Sequence, residues 1–513
     1  MITLVVIVLS AILLYFYNTR TFKYWEKRGV KHDRPVPFFG NNKEGFLIRK
    51  SKVQLNTEMY HKYPNEKVVG FFRGTRPELI IRDPDLVKRI MVTDFGSFFY
   101  RGFVPNKEVI EPVMRNLFIV EGDLWKMLRI RMTPAFSSGK LKAMFPLIVE
   151  RAEKLQSRTL EVVASGKSFD VKDLMARYTT DFIGACAFGL ESDCLNDENS
   201  DFRKLGSKIF APGLGDALVA VLKEMFPVLC KDLRYFYRLE DEAKELSQEI
   251  QKARNYKPIG RNDYVDMMLT IKNQGNVEIE SMEKKKGDGS PEMVSIQFDD
   301  DLFMAQLIMF FAAGFETSSS SSSMTLHFLA YHPEEQTKVQ EDIDRVLARY
   351  DNKLCYDAVK EMTYLEMALK EGMRMFPSVG FISRQCARDY TFEELGFTID
   401  KGINVMIPVQ ALHMDPKYWD NPEEFRPDRF HPDSEIRINN DIYLPFGNGP
   451  RSCAGIRLGL MQAMAGLAAV LSKFTVKPAP ESRLQPIIDP KSEIVQGVEG
   501  GLPLMFYKRN ESI

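Results

Sequence analysis

Cysteine is scarce. The chain carries six in 513 residues, and no two stand in a Cys-x-x-Cys spacing. That removes local support for a tetrahedral zinc site or an iron–sulfur cluster. A long chain this poor in cysteine is no disulfide-stapled scaffold either, so the body is expected in a reducing compartment. Net charge is also missing, with 69 Lys and Arg against 70 Asp and Glu. No basic excess is left for a nucleic-acid backbone, so no nucleic-acid partner is expected. There is no internal repeat, no Gly-x-Gly-x-x-Gly after a strand and no second flavin domain. Any redox chemistry would therefore draw its electrons from another protein.

The N-terminus holds a near-uninterrupted apolar run, Ile2 to Tyr17, followed by Arg20, Lys23, Lys27 and Arg28. Its length falls just under the ~17–25 residues of a spanning helix, and Tyr15 and Tyr17 suit the membrane interface. A cleaved signal peptide would carry its charge before the run and a small-residue site after it, and neither is present. The positive-inside rule puts the chain beyond the run in the cytosol. The expected organisation is a retained signal anchor over 1–20, a basic, proline-stiffened hinge over 21–42 (with "RPVPFFGN") and one globular body over 43–513.

What is abundant is soft apolar bulk: 36 Phe and 25 Met within a composition that is 44% apolar. Such residues build a large core and also an adaptable pocket. Lys67 to Asp83 alternates with Gly and Pro punctuation and predicts a hairpin. From about Asp85 helical periodicity dominates. Asn273 to Ser295 is polar, charged and glycine-bearing, which predicts a flexible surface linker. A long apolar helix is expected from near Asp299 to about Tyr331, a β-like stretch over 377–412, and a helix from the last cysteine to about Phe474. The fold class is mainly α with small β-sheets.

The last cysteine lies in "FGNGPRSCAG", Phe446 to Gly455. A lone cysteine in a chain this size is usually a small buried hydrophobe. Here Gly447 and Gly449 permit tight turns, Pro450 stiffens them, and Gly455 leaves room for something flat beside a helix start. That start offers free N–H groups and the positive end of a helix dipole, which favour a thiolate. A thiolate without sulfur or histidine partners in a ligand pattern suits one axial bond to a metal whose other ligands come from a cofactor, and haem iron fits.

This stretch resembles the haem-ligand signature of the cytochrome P-450 family, Phe-x-x-Gly-x-Arg-x-Cys-x-Gly, at Phe446, Gly449, Arg451, Cys453 and Gly455. The resemblance implies haem b with Cys453 as the axial metal ligand and Phe446 beside the sulfur. Ala454 and Leu458 depart from commoner residues as packing variants. It extends to "EGMR" and "FRPDRF", which imply a structural triad of Glu371, Arg374 and Arg429. On its own the first pair would be a weak surface ion pair; Asp428 stands where Glu is commoner.

"AAGFET" lies inside the long apolar helix, where a buried acid and hydroxyl are harder to dismiss than their flanks. Ala313 and Gly314 are expected to leave room for dioxygen, with Thr317 bonding it and Glu316 feeding protons. The run Ser318 to Ser323 is read as helical, its hydroxyls bonding back to the previous turn. "WKMLR" sets Trp125 and Arg129 one turn apart. The resemblance makes them propionate contacts with Arg384 and Arg451, and Arg101 as a further candidate. His413 is read as structural, since the position opposite the cysteine must stay open for oxygen.

The function implied is a membrane-anchored haem-thiolate monooxygenase of the endoplasmic reticulum, body on the cytosolic side, inserting one atom of O2 into lipophilic molecules. NADPH–cytochrome reductase would supply electrons, with cytochrome b5 as an optional second donor. Lys126, Arg129, Arg131, Lys140 and Lys142 would form the docking face. The segment leading into the body and the cysteine loop look most like those of insect microsomal members that oxidise plant toxins and insecticides; endogenous lipids or hormones are the other substrate class. Specificity is expected to depend on Arg101–Val120, Leu205–Phe226, Phe310–Phe315, Pro377–Ser383 and Val498–Pro503. The alternatives are a haem-thiolate isomerase or dehydratase, against which Glu316 and Thr317 argue, and a non-catalytic haem-binding sensor or carrier.

Overall fold

The computed structural model describes residues 1–104, 106, 109–189, 193–197, 200–210, 213–226, 228–261, 263–434 and 438–509. An N-terminal helix, α1 (Ile2–Thr19), precedes a helical body whose main elements are α2 (Gly122–Met132), α3 (Ser138–Ser165), α4 (Val171–Ile183), α5 (Asp300–Tyr331), α6 (Thr363–Met375) and α7 (Ile456–Lys473). Helix α5 is capped by the Asp299 carboxylate, which accepts from Leu302 N at 2.8 Å, meeting one of the four orphan donors at its start. It packs against α4, α6 and α7 in the largest apolar core, where Leu302, Phe303, Leu307, Phe311 and Leu326 are fully buried with Leu174, Phe182, Leu369 and Leu467.

Two helices are long and apolar enough to cross a membrane among the described residues. The apolar window of α1 is 6% buried and that of α5 is 61% buried. The second is a core helix; the first leaves its apolar side chains without protein partners, consistent with a membrane anchor.

The expected hairpin forms as β1 (Val68–Arg73) and β2 (Arg76–Ile81), with Val69 opposite Ile80. The full edge-to-edge order, with β5 (Ile382–Gln385) and β6 (Asn404–Ile407) still to come in the chain, is β1-β2-β6-β5. Strand β6 runs parallel to β2 and antiparallel to β5, pairing Val405 with Leu79 and with Arg384. Within 21–42, read from sequence as a hinge, Trp25 is fully buried and donates from Nε1 to Phe71 O at 3.1 Å. Gly70 makes room for it: a Cβ there would stand 2.5 Å from the indole. The chain leaving the anchor is therefore docked on the sheet.

The expected linker at 273–295 is instead an antiparallel hairpin, β3 (Asn276–Lys285) and β4 (Pro291–Gln297), in register at Val277 and Ile296. Its polar content is real, but Val277, Ile279 and Ser281 alternate with exposed Glu278 and Glu280, the period of a half-buried strand. The buried row rests on α2, where the Asp123 carboxylate accepts from Ser281 Oγ at 2.7 Å.

Candidate functional site

The loop from Phe446 to Gly455 is built by two left-handed glycines, Gly447 and Gly449, both at φ +71°. Gly449 has no alternative, since a Cβ would lie 2.0 Å from Met91 O. Cys453 N donates to Phe446 O at 2.9 Å and Ser452 N to Gly449 O at 3.0 Å, so the loop folds back on itself just before Gly455 caps α7. The Cys453 side chain is accessible, yet the protein packed around it pushes its thiol pKa up. The Gly455 N–H, then Arg129 and Arg101, pull in the opposite direction and favour the thiolate.

Around this loop lie arginines with too few partners. Arg451 lays its guanidinium 4.3 Å from the centre of the Trp125 ring and donates from Nη2 to Val120 O at 2.9 Å. Its Nε and Nη1 are buried without a hydrogen bond, as are Nε of Arg101 and Nε of Arg384. Arg384 donates from Nη1 to Ser383 O at 2.8 Å. Arg129 donates to Ser452 O at 2.9 Å, and Arg101 reaches Arg451 O at 3.4 Å. Burial, then the charge of Arg101, pushes Arg384 down to about 9. Burial also pushes Arg101 down to about 10. Arg451 is driven well down by burial and by both these neighbours. Buried like charges without partners cost several kcal/mol unless a counter-charge arrives. An anionic ligand with more than one carboxylate fits this donor set, and the two propionates of haem are such carboxylates.

Helix α5 supplies the other wall. Thr317 Oγ1 donates to Ala313 O at 2.7 Å, and Ala313 is accessible within a helix whose flanks are buried. Gly314 does not contribute free space, contrary to expectation: its missing Cβ is filled by Ile183 of α4, whose Cδ1 would be 2.2 Å away. The Glu316 carboxylate is not unpaired, since Lys172 Nζ of α4 sits 2.9 Å from Oε1. No sequence signal pointed to Lys172. Ser318 Oγ approaches Gly459 of α7 at 3.8 Å from a Cβ position, which brings the helix just past Thr317 against the helix just past Cys453. Phe446 packs on the same core, and Gly455 faces the Phe136 ring.

A second charged cluster stands behind the loop. Glu371 takes Arg374 Nε at 2.7 Å and Nη2 at 2.9 Å, Arg429 Nε at 3.2 Å and Arg426 N at 3.0 Å. Arg374 also donates to His413 O, Pro422 O and Glu424 O. His413 is buried. Its Nδ1 lies 3.1 Å from Arg374 O and its Nε2 accepts from Leu444 N at 2.8 Å. Burial holds its pKa down at about 3, so it is a neutral strut between the cluster and the start of the cysteine loop.

A sequence profile of the cytochrome P450 family matches residues 31–503. The chain belongs to this family. It is 36% identical over 492 residues to cytochrome P450 6B6 of Helicoverpa armigera, covering 95% of each chain. It is 35% identical to cytochrome P450 6a2 of Drosophila melanogaster over 97% of both, and 32% identical to cytochrome P450 6k1 of Blattella germanica over 99% of this chain and 98% of that one. The function is that typical of the family: a haem-thiolate monooxygenase, with haem b as cofactor and a separate reductase as the usual source of electrons.

Proposed function

We propose that Cys453 provides the axial thiolate to haem iron, and that the chain oxidises lipophilic small molecules with electrons from NADPH–cytochrome reductase. The observation that carries this reading is the set of unspent buried donors on Arg101, Arg384 and Arg451 beside Cys453. Haem, once bound, supplies reductive activation of O2, leaving one oxygen atom for insertion and one for water. The protein's part is binding and proton handling. Arg451, Arg384, Arg101 and Arg129 would hold the propionates, Trp125 supports the Arg451 guanidinium with its ring centre 4.3 Å away, and Phe446 and Gly455 would shape the sulfur side.

Thr317 turns its hydroxyl back to Ala313 O in the resting state, where it is ready to reorient toward dioxygen. Glu316, held by Lys172, is the reservoir from which that hydroxyl is resupplied with a proton. The similarity to insect relatives, with the partly buried rings of Phe136 and Phe310 stacked on each other, favours xenobiotics such as plant toxins or insecticides over endogenous lipids or hormones. Retention of the acid and hydroxyl disfavours an isomerase, a dehydratase or a carrier.

The apolar α1 and the basic charges after it support a location on the endoplasmic reticulum membrane, body toward the cytosol. The docking face for the reductase, and for cytochrome b5 as an optional donor, is narrower than the sequence implied. Arg129 turns inward, Lys126 donates to Glu280 O at 2.8 Å, and Lys142 pairs with Asp357 at 3.2 Å. Arg131 and Lys140 stay in the proposed face on their charge and their place in the sequence. The test is reconstitution with reductase, NADPH and a panel of lipophilic xenobiotics. Product that depends on NADPH and disappears in Thr317→Ala supports the reading; NADPH-independent turnover contradicts it.

A further inference from the structure

The six serines after Thr317 are all buried, in the middle of α5. Four of them donate to carbonyls three or four residues back: Ser319 to Glu316 O, Ser321 to Thr317 O, Ser322 to Ser318 O and Ser323 to Ser320 O, at 2.8 to 3.1 Å. Small side chains also let neighbours come close. A Cβ on Gly372 of α6 would stand 3.3 Å from the Cα of Thr325 and 2.6 Å from its hydroxyl. Close packing alone would be served by alanine. One serine also bonds outside its own helix.

Ser321 Oγ lies 3.0 Å from Thr317 O and 3.0 Å from Ser378 Oγ, and Ser378 Oγ lies 3.1 Å from the same Thr317 O. Three oxygens form a closed triangle that holds two hydroxyl hydrogens. Both hydroxyls donate to Thr317 O, or one donates to the other, which in turn donates to Thr317 O. The carbonyl of the reacting threonine is thereby held from outside its own helix. Hydroxyl bonding of this kind draws a carbonyl partly out of the helical ladder and sets the local bend.

Ser378 is not on a helix. It follows α6 in the turn that leads to β5, its N-terminal neighbour Pro377 and its own carbonyl each bound by Gln496, through Nε2 at 2.7 Å and through N at 2.8 Å. That turn is one of the segments expected to meet substrate. We propose that Ser378 is a positioning residue: its hydroxyl, bonded to the Thr317 carbonyl and to the Ser321 hydroxyl, ties the substrate-facing turn to that carbonyl, so that the seat of the Thr317 side chain depends on that turn. This rests on the role proposed for Thr317. The consequence is coupling. Well-seated, NADPH, H+, O2 and substrate give product, water and NADP+; poorly seated, NADPH, H+ and O2 give hydrogen peroxide and NADP+.

The test uses the full-length haem-loaded enzyme with reductase and any substrate found in the panel. Ser378→Ala and Ser321→Ala should each raise the peroxide formed per NADPH about threefold, the scale of one neutral hydrogen bond. Ser378→Thr, which keeps the hydroxyl, should restore it. Ser323→Ala, which loses only a bond to Ser320 O, should match the parent. Independently of turnover, deuterium exchange in the ferric enzyme should quicken at amides 318–322 in Ser378→Ala and not in Ser378→Thr. Unchanged exchange, or faster exchange with unchanged peroxide, overturns the proposal. Should Ser378→Ala fail to fold, the same outcomes in Ser321→Ala decide for or against it. Thr317→Ala serves as the reference: if it leaves the peroxide share unaltered, the role of Thr317 fails, whatever the exchange data say of the clamp.

Discussion

Two buried clusters of arginine lie on either side of the cysteine loop, and they are opposites. Behind the loop, Arg374 spends its donors on Glu371 and on backbone carbonyls, and Arg429 is paired with Glu371 although its Nη1 is buried without a bond. In front, Arg451, Arg384 and Arg101 keep donors buried and unspent, with no carboxylate among the described residues paired to any of them. The residue type is the same, and Arg384 and Arg451 lie as deep as Arg374 and Arg429. Pairing is what separates a structural cluster from a binding site.

Single substitutions sharpen this contrast. Glu371→Ala strands two buried guanidinium groups and should cost about 3–5 kcal/mol, enough to leave little folded protein by circular dichroism. Arg451→Leu should do the reverse in haem-free protein, raising the melting temperature or leaving it unchanged, because it removes an uncompensated charge. The same variant should lower haem retention about tenfold or more in a haem-transfer assay, the worth of a charge-assisted bond. Destabilisation of the haem-free protein by Arg451→Leu would break the comparison.

Acid titration probes the strut between the clusters. His413 has its pKa held down at about 3, against 6.5 for an unperturbed histidine. The unfolded chain therefore binds its proton first, so this group's contribution is complete above pH ~6.5 and lost as pH falls toward about 3. In denaturant melts between those limits, His413→Gln should flatten the decline. The smallest effect is expected on the surface. Lys140→Glu should reduce reductase-supported turnover a few-fold at low salt and little at high salt. No dependence on ionic strength would remove the basic face from the docking surface.

Much of this was legible in residues with fixed spacing. The hairpin before residue 83 and the helix from 300 to 331 follow from local pattern, whereas the grouping of Trp125, Arg129 and Arg451 near Cys453 was implied by the family resemblance alone. What was hidden depends on distant partners. Lys172 meets Glu316 only because α4 packs along α5, and Ser378 meets Thr317 only because the turn after α6 closes on the same helix. Gly314 looked like space for a ligand and is instead space for Ile183. The hairpin at 276–297 was hidden differently: its charged residues outweighed a true alternation that only a supporting surface, here α2, could make worth ordering.

The measurement that tests the central claim most directly is the optical spectrum of the reduced protein under carbon monoxide, beside Cys453→Ser. A long-wavelength Soret band in the parent that is lost in the variant is the predicted result. The same band in both proteins, or no haem bound by folded parent, would contradict Cys453 as the axial ligand.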